Sequence, residues 1–478
     1  MKNNSIEDNQ LLLPTGKLIT FNDEQFLGIK KINDWLKDES NNFFTLAGYA
    51  GTGKSTIVKK ILDKYYGGVV VSAPTHKAKK VVVNTTGEEG KTLHSLLGLR
   101  PDTKLDEFNP NDPKFNPIAL PTITDYNLVI IDEASMINKE LYEMIKDKVN
   151  GTRTKVLFMG DSAQIPPVGE KESIVFNQVN NEFHLLTKIE RQNDTNPLAF
   201  VYDALRNNLN RIDGGFLRKS NMNDIGEGII FTINKKKFRY AMLEKFKDIQ
   251  YKNDTDFVKV IAWKNDTVIA ANNVIRTELL GNTTDVVETD DVLMAYRSVS
   301  DAKQRFNIIE NSADYRVVYK SRLETNKYDI NGYDIKLREN LAKGKFKYQN
   351  VFILDSNDHN NLHTFAEMHD FFRDRAKNDK KKWKDYYDFR RNNILMIDID
   401  KFRNGLQRST WDFIGKDLDY GYVLTAHKSQ GSTYSHVFVM ENDINANWVL
   451  KERNQIKYVA LTRPSISATV LTTKLDKT

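Results

Sequence analysis

The chain contains no cysteine among its 478 residues. This absence excludes disulfide bonds, thiolate metal sites and a cysteine nucleophile, and it fits a reducing intracellular compartment. Histidine is also sparse, with eight in the chain, and only His359, His363 and His369 lie close together in sequence. No other metal-binding pattern accompanies these three residues, so we predict that they do not bind a metal ion.

Long hydrophobic runs are missing as well. No stretch reaches the roughly 18 consecutive apolar residues that a membrane-spanning helix requires. Met1–Gln10 is polar and acidic, without the basic and apolar regions of a secretory signal. We therefore expect a protein that does not bind membranes and is located in the cytoplasm.

The chain has little net charge, since 70 Lys and Arg residues stand against 64 Asp and Glu, a balance of +6. An excess this small does not identify a partner, although a pI near 8.9 allows local basic surfaces. Hydrophobic residues make up 40% and charged residues 28%, which is an ordinary globular composition. The length predicts about three structural units.

Internal repeats and long Gly, Ser or Pro tracts are also absent; instead, short apolar runs alternate with helical patterns. Phe43–Ala47 is strand-like, and residues 55–66 then carry apolar side chains at helical spacing. Gly68–Ser72, Leu128–Ile131 and Val156–Met159 are short apolar runs typical of parallel strands that are covered on both faces. The first 190 residues therefore predict a doubly wound α/β domain.

Two segments interrupt this alternation. Leu99–Pro121 contains five prolines together with Phe108 and Phe115, which predicts a small insertion rather than a helix or core strand. Alternation is also poor from residue 290 to 410, and α/β patterns return at Tyr422–Leu424. We infer a second α/β domain that is interrupted by a large inserted module.

Gly48–Ser55 matches the pattern G-x-x-x-x-G-K-[ST] between an apolar strand and an amphipathic helix, the context that a phosphate-binding P-loop requires. The glycines let the backbone surround phosphates, and the N–H groups at the start of the helix attract anions. Lys54 is expected to reach the β- and γ-phosphates, and the Ser55 hydroxyl to bind Mg²⁺. The motif predicts a nucleoside triphosphate site.

Two further strand ends carry candidate groups for hydrolysis. Asp132 and Glu133 follow an apolar strand, where the first can hold Mg²⁺ through water and the second can polarise the attacking water. Gln164 follows another strand, in a position to sense the γ-phosphate. Taken alone, an acid at a strand end or a sharp loop before two prolines also explains these residues.

Nine blocks in order resemble the motifs of the superfamily 1B DNA helicases, the subgroup that contains Dda-like and RecD-like enzymes. They extend over residues 20–205 and 410–470. The blocks are Phe21–Gln25, the P-loop, Ala73–Lys80, Thr92–Ser95, Asp132–Met136, Gly160–Val168, Leu186–Arg191, Leu424–Thr433 and Tyr458–Arg463.

The resemblance implies an α/β fold with two tandem RecA-like P-loop domains. A small pin insertion interrupts the first domain, and a larger SH3-like accessory insertion interrupts the second. The implied boundaries are residues 1–98 and 122–195 for domain 1A, 99–121 for pin 1B, 196–290 and 411–478 for domain 2A, and 291–410 for domain 2B.

The resemblance also assigns roles to residues of the nucleotide site. Gln25 would recognise adenine, Glu133 would activate water, and Gln164 would couple the γ-phosphate to DNA. Arg191 and Arg463 would supply cations to the transition state, while Ser55 and Asp132 would hold Mg²⁺. The remaining nucleotide-binding residues would be Gly48, Ala50, Gly51, Thr52, Gly53, Lys54, Thr56 and Gly431.

A second group of residues would contact DNA through phosphates and sugars without distinguishing bases, which suits a translocating enzyme. These residues are Pro74, Thr75, His76, Lys77, Thr92, His94, Ser95, Thr425, His427 and Lys428. Phe108 or Phe115 would stack at the fork, although an aromatic residue can equally anchor a proline-rich loop.

The implied activity is ATP-dependent, 5′-to-3′ translocation on single-stranded DNA with duplex unwinding, using ATP and Mg²⁺. ATP would draw the two domains together, and hydrolysis would release them, so that their grip on DNA alternates. The resemblance implies single-stranded and fork DNA as partners, and it allows a single-strand-binding protein or replisome component as another. It also implies a monomeric protein. An alternative is an ATP-switched clamp that holds a nucleic acid strand without unwinding it, and RNA stays open as a substrate.

Two details leave further alternatives. Residues 371–393 contain nine Lys or Arg, four Asp and several aromatic residues, so they predict either a DNA-stacking surface or a solvated amphipathic arm. Pro464 follows Arg463 where a small flexible residue is expected, which predicts a stiffer loop there.

Overall fold

A computed structural model gives the fold. It describes residues 9–12, 18–74, 78–79, 83, 86–99, 119–177, 182–190, 196–300, 307–341, 345–400 and 413–476. The chain forms two compact units. The first unit is residues 1–216, 430–432 and 449–462, and the second is residues 217–429, 433–448 and 463–478.

The α-helices are numbered in chain order. They are α1 (Asp23–Lys37), α2 (Lys54–Leu62), α3 (Leu93–Leu97), α4 (Lys139–Val149), α5 (Leu198–Asn207), α6 (Lys235–Lys247), α7 (Ile249–Asn253), α8 (Asn265–Leu280), α9 (His359–Asn378), α10 (Trp383–Arg391), α11 (Ala426–Ser429), α12 (Glu441–Ile444) and α13 (Leu450–Thr462). Short 3₁₀ helices occur at Ile123–Asp125, Ala134–Met136, Ile174–Phe176 and Lys380–Lys382.

The strands of the first unit and the start of the second are β1 (Gln10–Leu12), β2 (Leu18–Thr20), β3 (Phe43–Gly48), β4 (Val69–Ser72), β5 (Leu128–Ile131), β6 (Lys155–Gly160), β7 (Glu182–Leu186), β8 (Asn221–Met222), β9 (Gly228–Thr232) and β10 (Val258–Ala262). The remaining strands are β11 (Val292–Ala295), β12 (Val299–Ser300), β13 (Asn307–Ile309), β14 (Asp314–Lys320), β15 (Glu324–Thr325), β16 (Asn331–Asn340), β17 (Phe346–Leu354), β18 (Ile399–Asp400), β19 (Phe413–Ile414), β20 (Leu418–Tyr420), β21 (Val423–Thr425), β22 (Tyr434–Val439) and β23 (Pro464–Leu471).

The first unit is built on a five-stranded parallel sheet in the order β4-β5-β6-β3-β7. Every residue of β3, β4, β5 and β6 is buried, because hydrophobic clusters cover both faces of the sheet. Continuous apolar strands of this kind are what a doubly wound sheet requires. The prediction of a doubly wound α/β domain is confirmed.

The second unit has a six-stranded sheet in the order β21-β10-β22-β23-β9-β8, in which all neighbours are parallel except β8 and β9. Its interior strand β10, next to the edge strand β21, is buried at every position. Strands from both sides of the insertion therefore belong to one sheet, since β9 and β10 precede the inserted residues and β21 to β23 follow them.

The inserted residues form an antiparallel sheet in the order β15-β16-β14-β11, with β17 also paired to β16. Strand β20, which follows the insertion, pairs with β11 and completes this sheet. A buried ion pair joins it to the parallel sheet, since Lys259 Nζ of β10 lies 3.2 Å from Asp314 Oδ2 of β14. Arg316 and Arg338 donate to the carbonyl oxygens of Tyr251 and Lys252 in the last turn of α7. These bonds satisfy carbonyl groups that a helix terminus leaves without partners.

The basic, aromatic segment at residues 371–393 spans the end of α9 and helix α10. Tyr386, Tyr387 and Phe389 are all buried, and Phe389 packs on Phe365 and Phe372 at ring-centroid distances of 5.3 Å each. The stacking alternative is therefore wrong for these three rings. Their apolar area is used to hold the two helices together.

Two other predictions have structural outcomes. Pro464 is the first residue of β23 and pairs in register with Tyr434, so a strand follows Arg463 instead of a stiff loop. Residues 100–118 of the proline-rich insertion, including Phe108 and Phe115, lie outside the described residues. Across the described part of the chain, no helix has both the length and the apolar character needed to cross a bilayer.

Candidate nucleotide-binding site

The order of strands brings three segments to one edge of the first sheet. Strand β6 lies between β5 and β3, and all three run in the same direction. The P-loop leaves the carboxyl end of β3, Asp132 and Glu133 follow β5, and Asp161 follows β6. Open α/β sheets bind ligands outside the carboxyl ends of their strands, so this edge is the candidate site.

Glycine shapes the P-loop at the positions where the backbone is left-handed or crowded. Gly51 and Gly53 have φ angles of 83° and 84°, which side-chain-bearing residues seldom adopt. A Cβ atom on Gly48 would lie 2.6 Å from Thr52 Oγ1. Helix α2 begins at Lys54, so its first N–H groups are presented at the end of the loop, where they favour an anion.

The Lys54 ammonium group lies over the loop. It donates to the carbonyl oxygens of Gly48 at 2.5 Å and Tyr49 at 3.1 Å. The cation is therefore held by neutral acceptors, which phosphate oxygens can replace with stronger, charge-assisted hydrogen bonds. The contact of Lys54 with the β- and γ-phosphates stays a prediction.

Gln25 is buried and contacts the P-loop from α1. Its Nε2 donates to the Thr52 carbonyl oxygen at 3.0 Å, and its Oε1 accepts from the Asn22 backbone N–H at 3.1 Å. Both ends of the amide are thus bonded within the protein. The structure shows Gln25 supporting the loop, and recognition of adenine by Gln25 stays a prediction.

The segment after β7 is also attached to the P-loop. The Glu190 backbone N–H donates to the Gly51 carbonyl oxygen at 2.9 Å, and Asn22 Nδ2 donates to Glu190 Oε1 at 2.6 Å. The Glu24 carboxylate accepts hydrogen bonds from the backbone N–H groups of Thr187 and Lys188 and from the Thr187 hydroxyl group. Partial burial opposes ionisation of Glu24, but these three donors hold its pKa below the usual range. Arg191, the next predicted cation, lies outside the described residues.

The two acids after β5 differ in their surroundings. Desolvation by the surrounding protein raises the pKa of Asp132, and the Glu133 backbone N–H and the Lys54 charge oppose that shift. Glu133 has a φ of 53°, an uncommon left-handed conformation for a residue with a side chain. Such strain is concentrated at functional sites, where it fixes the direction of a side chain.

Ser55 and Asp132 provide the oxygen ligands that Mg²⁺ prefers, a hydroxyl and a carboxylate. A cation beside Asp132 would also compensate the desolvation of its carboxylate. No group of three His, Asp or Glu side chains in the described ranges is arranged to hold a metal by itself. The residues therefore fit Mg²⁺ bound by few protein groups together with phosphates, as is usual for this ion.

Gln164 is buried within a cluster of glutamines in the first unit. Gln430 Nε2 lies 3.5 Å from Gln164 Oε1 and donates to the Ile165 carbonyl oxygen at 3.3 Å. Gln455 Nε2 donates to the Gln164 carbonyl oxygen at 2.9 Å. Neither Gln430 nor Gln455 is a residue for which the sequence predicted a role, although Gln430 lies inside the motif block Leu424–Thr433.

A second contact that the sequence analysis missed involves a buried tyrosine. Tyr458 Oη donates to Asp161 Oδ2 at 2.6 Å and accepts from the Ala50 backbone N–H at 3.3 Å. Asp161 and Tyr458 each lie in one of the nine motif blocks, and this membership is the feature of the sequence that marks them as functional candidates. Neither block indicates that the two side chains meet, because they are 297 residues apart.

Some predicted DNA-contacting residues lie together in the first unit. Thr92 is the N-cap of α3, where its Oγ1 accepts from the Ser95 backbone N–H at 3.2 Å, and His94 is in the same turn. Pro74 is buried just after β4. Thr75, His76 and Lys77 lie outside the described residues.

Other predicted residues belong to the second unit. Thr425 ends β21 and its Oγ1 accepts from the Lys428 backbone N–H at 3.3 Å, with His427 exposed between them. Lys428 Nζ lies 4.8 Å from the centroid of the Tyr296 ring. Arg463 is buried before β23. Gly431, which belongs to the first unit, has a φ of 70°.

Comparison with known proteins agrees with this geometry. Residues 30–219 match the AAA domain family, and residues 420–471 match the UvrD-like helicase C-terminal domain family. The chain is 28% identical to the uncharacterized protein R530 of Acanthamoeba polyphaga mimivirus, over 93% of this chain and 98% of that protein. It is 24% identical to the ATP-dependent DNA helicase dda of Enterobacteria phage T4, over 73% of this chain and 81% of that protein.

A solved structure supports the fold. It describes DNA unwinding at forked double-stranded DNA by two coordinating Pif1 helicases, and its similarity covers 95% of this chain and 93% of that chain. The TM-score is 0.52 at 18% sequence identity. The prediction of tandem RecA-like domains is confirmed.

The crowding at Gly53 generates a prediction for nucleotide binding. A Cβ atom at Gly53 would lie 2.5 Å from Gln25 Nε2, in addition to the cost of the left-handed backbone. We expect Gly53→Ala to weaken binding of a fluorescent ATP analogue at least about tenfold, because the loop and Gln25 must both move. Titration of the purified variant measures this loss.

Gly151→Ala is the matched control, since Gly151 has a φ of 74° and open space around its Cβ position. It is expected to lose about 1–2 kcal/mol of stability while keeping its affinity for the analogue. Wild-type affinity in Gly53→Ala would contradict the crowding argument. Partial recovery in the double variant Gln25→Ala/Gly53→Ala would locate the conflict at the Gln25 amide.

Asp132 generates a prediction about pH and stability. The pKa of the Asp132 carboxyl group is higher in the folded state than in the unfolded state. The stability that Asp132 contributes is therefore fully present below the unfolded-state pKa, and it is lost as pH rises through the folded-state pKa. Asp132→Asn should therefore become more stable than the wild type as pH rises, by about 1.4 kcal/mol per unit of pKa shift. Urea unfolding from about pH 4 to pH 8, without Mg²⁺ or nucleotide, measures the difference. A variant that is less stable at the upper end of the series would refute the desolvation of this carboxylate.

Proposed function

Because the chain belongs to superfamily 1B of the helicases, we propose that it is an ATP-dependent DNA helicase that moves 5′-to-3′ on single-stranded DNA and unwinds duplexes. The observation that carries the proposal is the row of strand ends β5, β6 and β3. It brings the P-loop, the acids Asp132 and Glu133, and the Asp161–Gln164 turn to one edge of a sheet. These are the parts that hydrolysis of a triphosphate requires.

In the proposed reaction, Lys54 exchanges the carbonyl oxygens of Gly48 and Tyr49 for the β- and γ-phosphates. Ser55 and Asp132 would hold Mg²⁺, which neutralises phosphate charge when bound. Glu133 orients and polarises the water that attacks the γ-phosphorus while the bond to the ADP oxygen breaks. The strained backbone of Glu133 supports this role, because it fixes the direction in which the carboxylate leaves the strand.

Arg191 and Arg463 are proposed as the cations that stabilise charge on the γ-phosphate during transfer. An arginine in this role commonly contributes several powers of ten in rate. Gln164 is proposed to report the state of the γ-phosphate. Its contacts support the assignment. The Gln164 side-chain amide meets Gln430 and the Gln164 backbone carbonyl oxygen accepts from Gln455, so a displacement of this residue can be transmitted to both segments.

DNA is proposed as the polymer substrate because the phage T4 relative is an ATP-dependent DNA helicase and the solved Pif1 structure concerns forked double-stranded DNA. In this chain, Thr92, His94 and Ser95 form one compact polar group at α3, and Thr425 and His427 form another at the start of α11. Small polar groups of this kind bind phosphates and sugars without reading base sequence. The 5′-to-3′ direction rests on the family alone.

Glu133→Gln tests the catalytic assignment. Glutamine keeps the size of the side chain but cannot accept a proton, so ATP hydrolysis should fall at least about a hundredfold while ATP binding is retained. Lys54→Ala should lose hydrolysis through lost phosphate contacts. Glu140→Gln, an exposed position at the start of α4, is the matched control and should hydrolyse ATP at the wild-type rate. Equal losses of binding and hydrolysis in Glu133→Gln would contradict its proposed role.

Unwinding of tailed duplexes tests the polymer and the direction. With ATP and Mg²⁺, the protein should separate a duplex that carries a 5′ single-stranded DNA tail and leave one with a 3′ tail intact. Separation of only the 3′-tailed substrate would reverse the direction. ATP-dependent binding without separation of either substrate would identify a nucleotide-switched clamp, and a preference for RNA tails would change the polymer.

A further inference from the structure

Helix α13 contacts the Asp161–Gln164 turn at two points. Gln455 and Tyr458 are three residues apart on this helix and therefore lie on one face of it. Gln455 Nε2 donates to the Gln164 carbonyl oxygen, and Tyr458 Oη donates to the Asp161 carboxylate. The same Tyr458 oxygen accepts from the Ala50 N–H in the P-loop, so one hydroxyl group bonds to two different strand ends.

We propose that Tyr458 is a positioning residue that couples the P-loop to the turn that carries Gln164, so that it sets the rate of ATP hydrolysis rather than the affinity for ATP. The inference rests on the proposed function and assigns a residue to it. Tyr458 does not need to touch the nucleotide for this role. It acts through Asp161 and through the backbone at Ala50.

The Asp161 carboxylate is the link between Tyr458 and Gln164. Its Oδ1 accepts from the Ala163 backbone N–H at 2.9 Å, while Oδ2 accepts from Tyr458. The Gln164 backbone N–H donates to the Asp161 carbonyl oxygen at 3.2 Å. Asp161 therefore shapes the turn from both its side chain and its backbone, and Tyr458 fixes the orientation of that side chain.

Tyr458 and Asp161 are both buried, which makes the hydrogen bond between them costly to lose. Asp161 is 1% exposed and Tyr458 is 0% exposed, so water does not replace the bond when it is lost. Burial, followed by the nearby Asp161 charge, raises the pKa of Tyr458 well above its usual value. The hydroxyl consequently stays protonated and donates a hydrogen bond to the Asp161 carboxylate.

A further cation lies beside this contact. The Arg206 guanidinium group lies 4.2 Å from the centroid of the Tyr49 ring, in the P-loop residue that precedes Ala50. It also bonds to Asp203 of the same helix at 2.5 Å and donates to the Thr187 carbonyl oxygen at 3.3 Å. The start of the P-loop is thus held from α5 on one side and from α13 on the other. A change in the loop on binding phosphate is thereby transmitted to Tyr458 and the Gln164 turn.

Tyr458→Phe tests the proposal because it removes only the hydroxyl oxygen and keeps the ring. DNA-stimulated ATP hydrolysis should show a kcat about tenfold below the wild type, with the KM for ATP changed less than about threefold. Asp161→Asn should lower kcat as well. The double variant should lose little more than either single variant, because the two side chains act as one unit.

Tyr142→Phe is the matched control for the loss of a buried phenol in the same unit. Tyr142 is 1% exposed and packs on Phe43 and Phe158 in the core, away from the P-loop contacts described above. Both variants are expected to have lower melting temperatures, and only Tyr458→Phe should have a lower kcat. A wild-type kcat in Tyr458→Phe, or the same fall in Tyr142→Phe, would overturn the inference.

The failure of this inference is distinguishable from the failure of the proposed function. A wild-type protein that does not hydrolyse ATP in the presence of DNA would overturn both. An active wild type together with an equally active Tyr458→Phe variant would overturn the coupling role alone. A Tyr458→Phe variant that loses affinity for a non-hydrolysable ATP analogue in proportion to its loss of kcat would show that Tyr458 acts in binding, which also contradicts the proposal.

Discussion

The parallel pairing of β6 with both β5 and β3 is the constraint on which the rest of the structure depends. Parallel neighbours end at the same edge of a sheet, so the residues that follow each strand must emerge side by side. The register aligns Ala47 of β3 with Gly160 of β6, and Ile131 of β5 with Phe158 of β6. A shift of one residue in either pairing would exchange the two faces of a strand that is buried on both. It would also displace one of the candidate site segments along the edge.

This edge contains several features that oppose stability. Asp132 is desolvated, Glu133 has a left-handed backbone, and the P-loop has two more left-handed residues at Gly51 and Gly53. The hydrophobic clusters on both faces of the sheet offset these costs, because they bury all of β3 to β6 and leave the strand ends no freedom to relax. In the proposed function this arrangement has a chemical benefit. The desolvated carboxylate would gain a favourable partner in Mg²⁺, and the Lys54 cation, held by neutral carbonyl groups, would gain one in a triphosphate.

The second unit shows how the same residue types can serve structure instead of chemistry. Lys259 and Asp314 are fully buried as an ion pair, and Arg316 and Arg338 bond to the carbonyl end of α7. The basic, aromatic segment at residues 371–393 has a composition that suits contact with a nucleic acid strand, yet its central rings form the core between α9 and α10. The charge and aromatic content of a sequence segment do not predict which of its side chains are exposed, because exposure depends on how neighbouring helices and strands pack against the segment.

Most of the first sheet and the P-loop were predictable from the sequence, because each depends on neighbouring residues. Apolar runs predicted β3, β4, β5 and β6, and the glycine spacing predicted the P-loop. The partners of Gln164 were not predictable, since Gln430 and Gln455 are 266 and 291 residues away. Nor were the bonds of Gln25 to the P-loop and of Tyr458 to Asp161. The sequence by itself determined which groups are present and which strand carries each one, because those properties are local. Only the tertiary structure decided which side chains meet. The packing of the first sheet and the path of α13 bring residues that are distant in sequence within hydrogen-bonding distance.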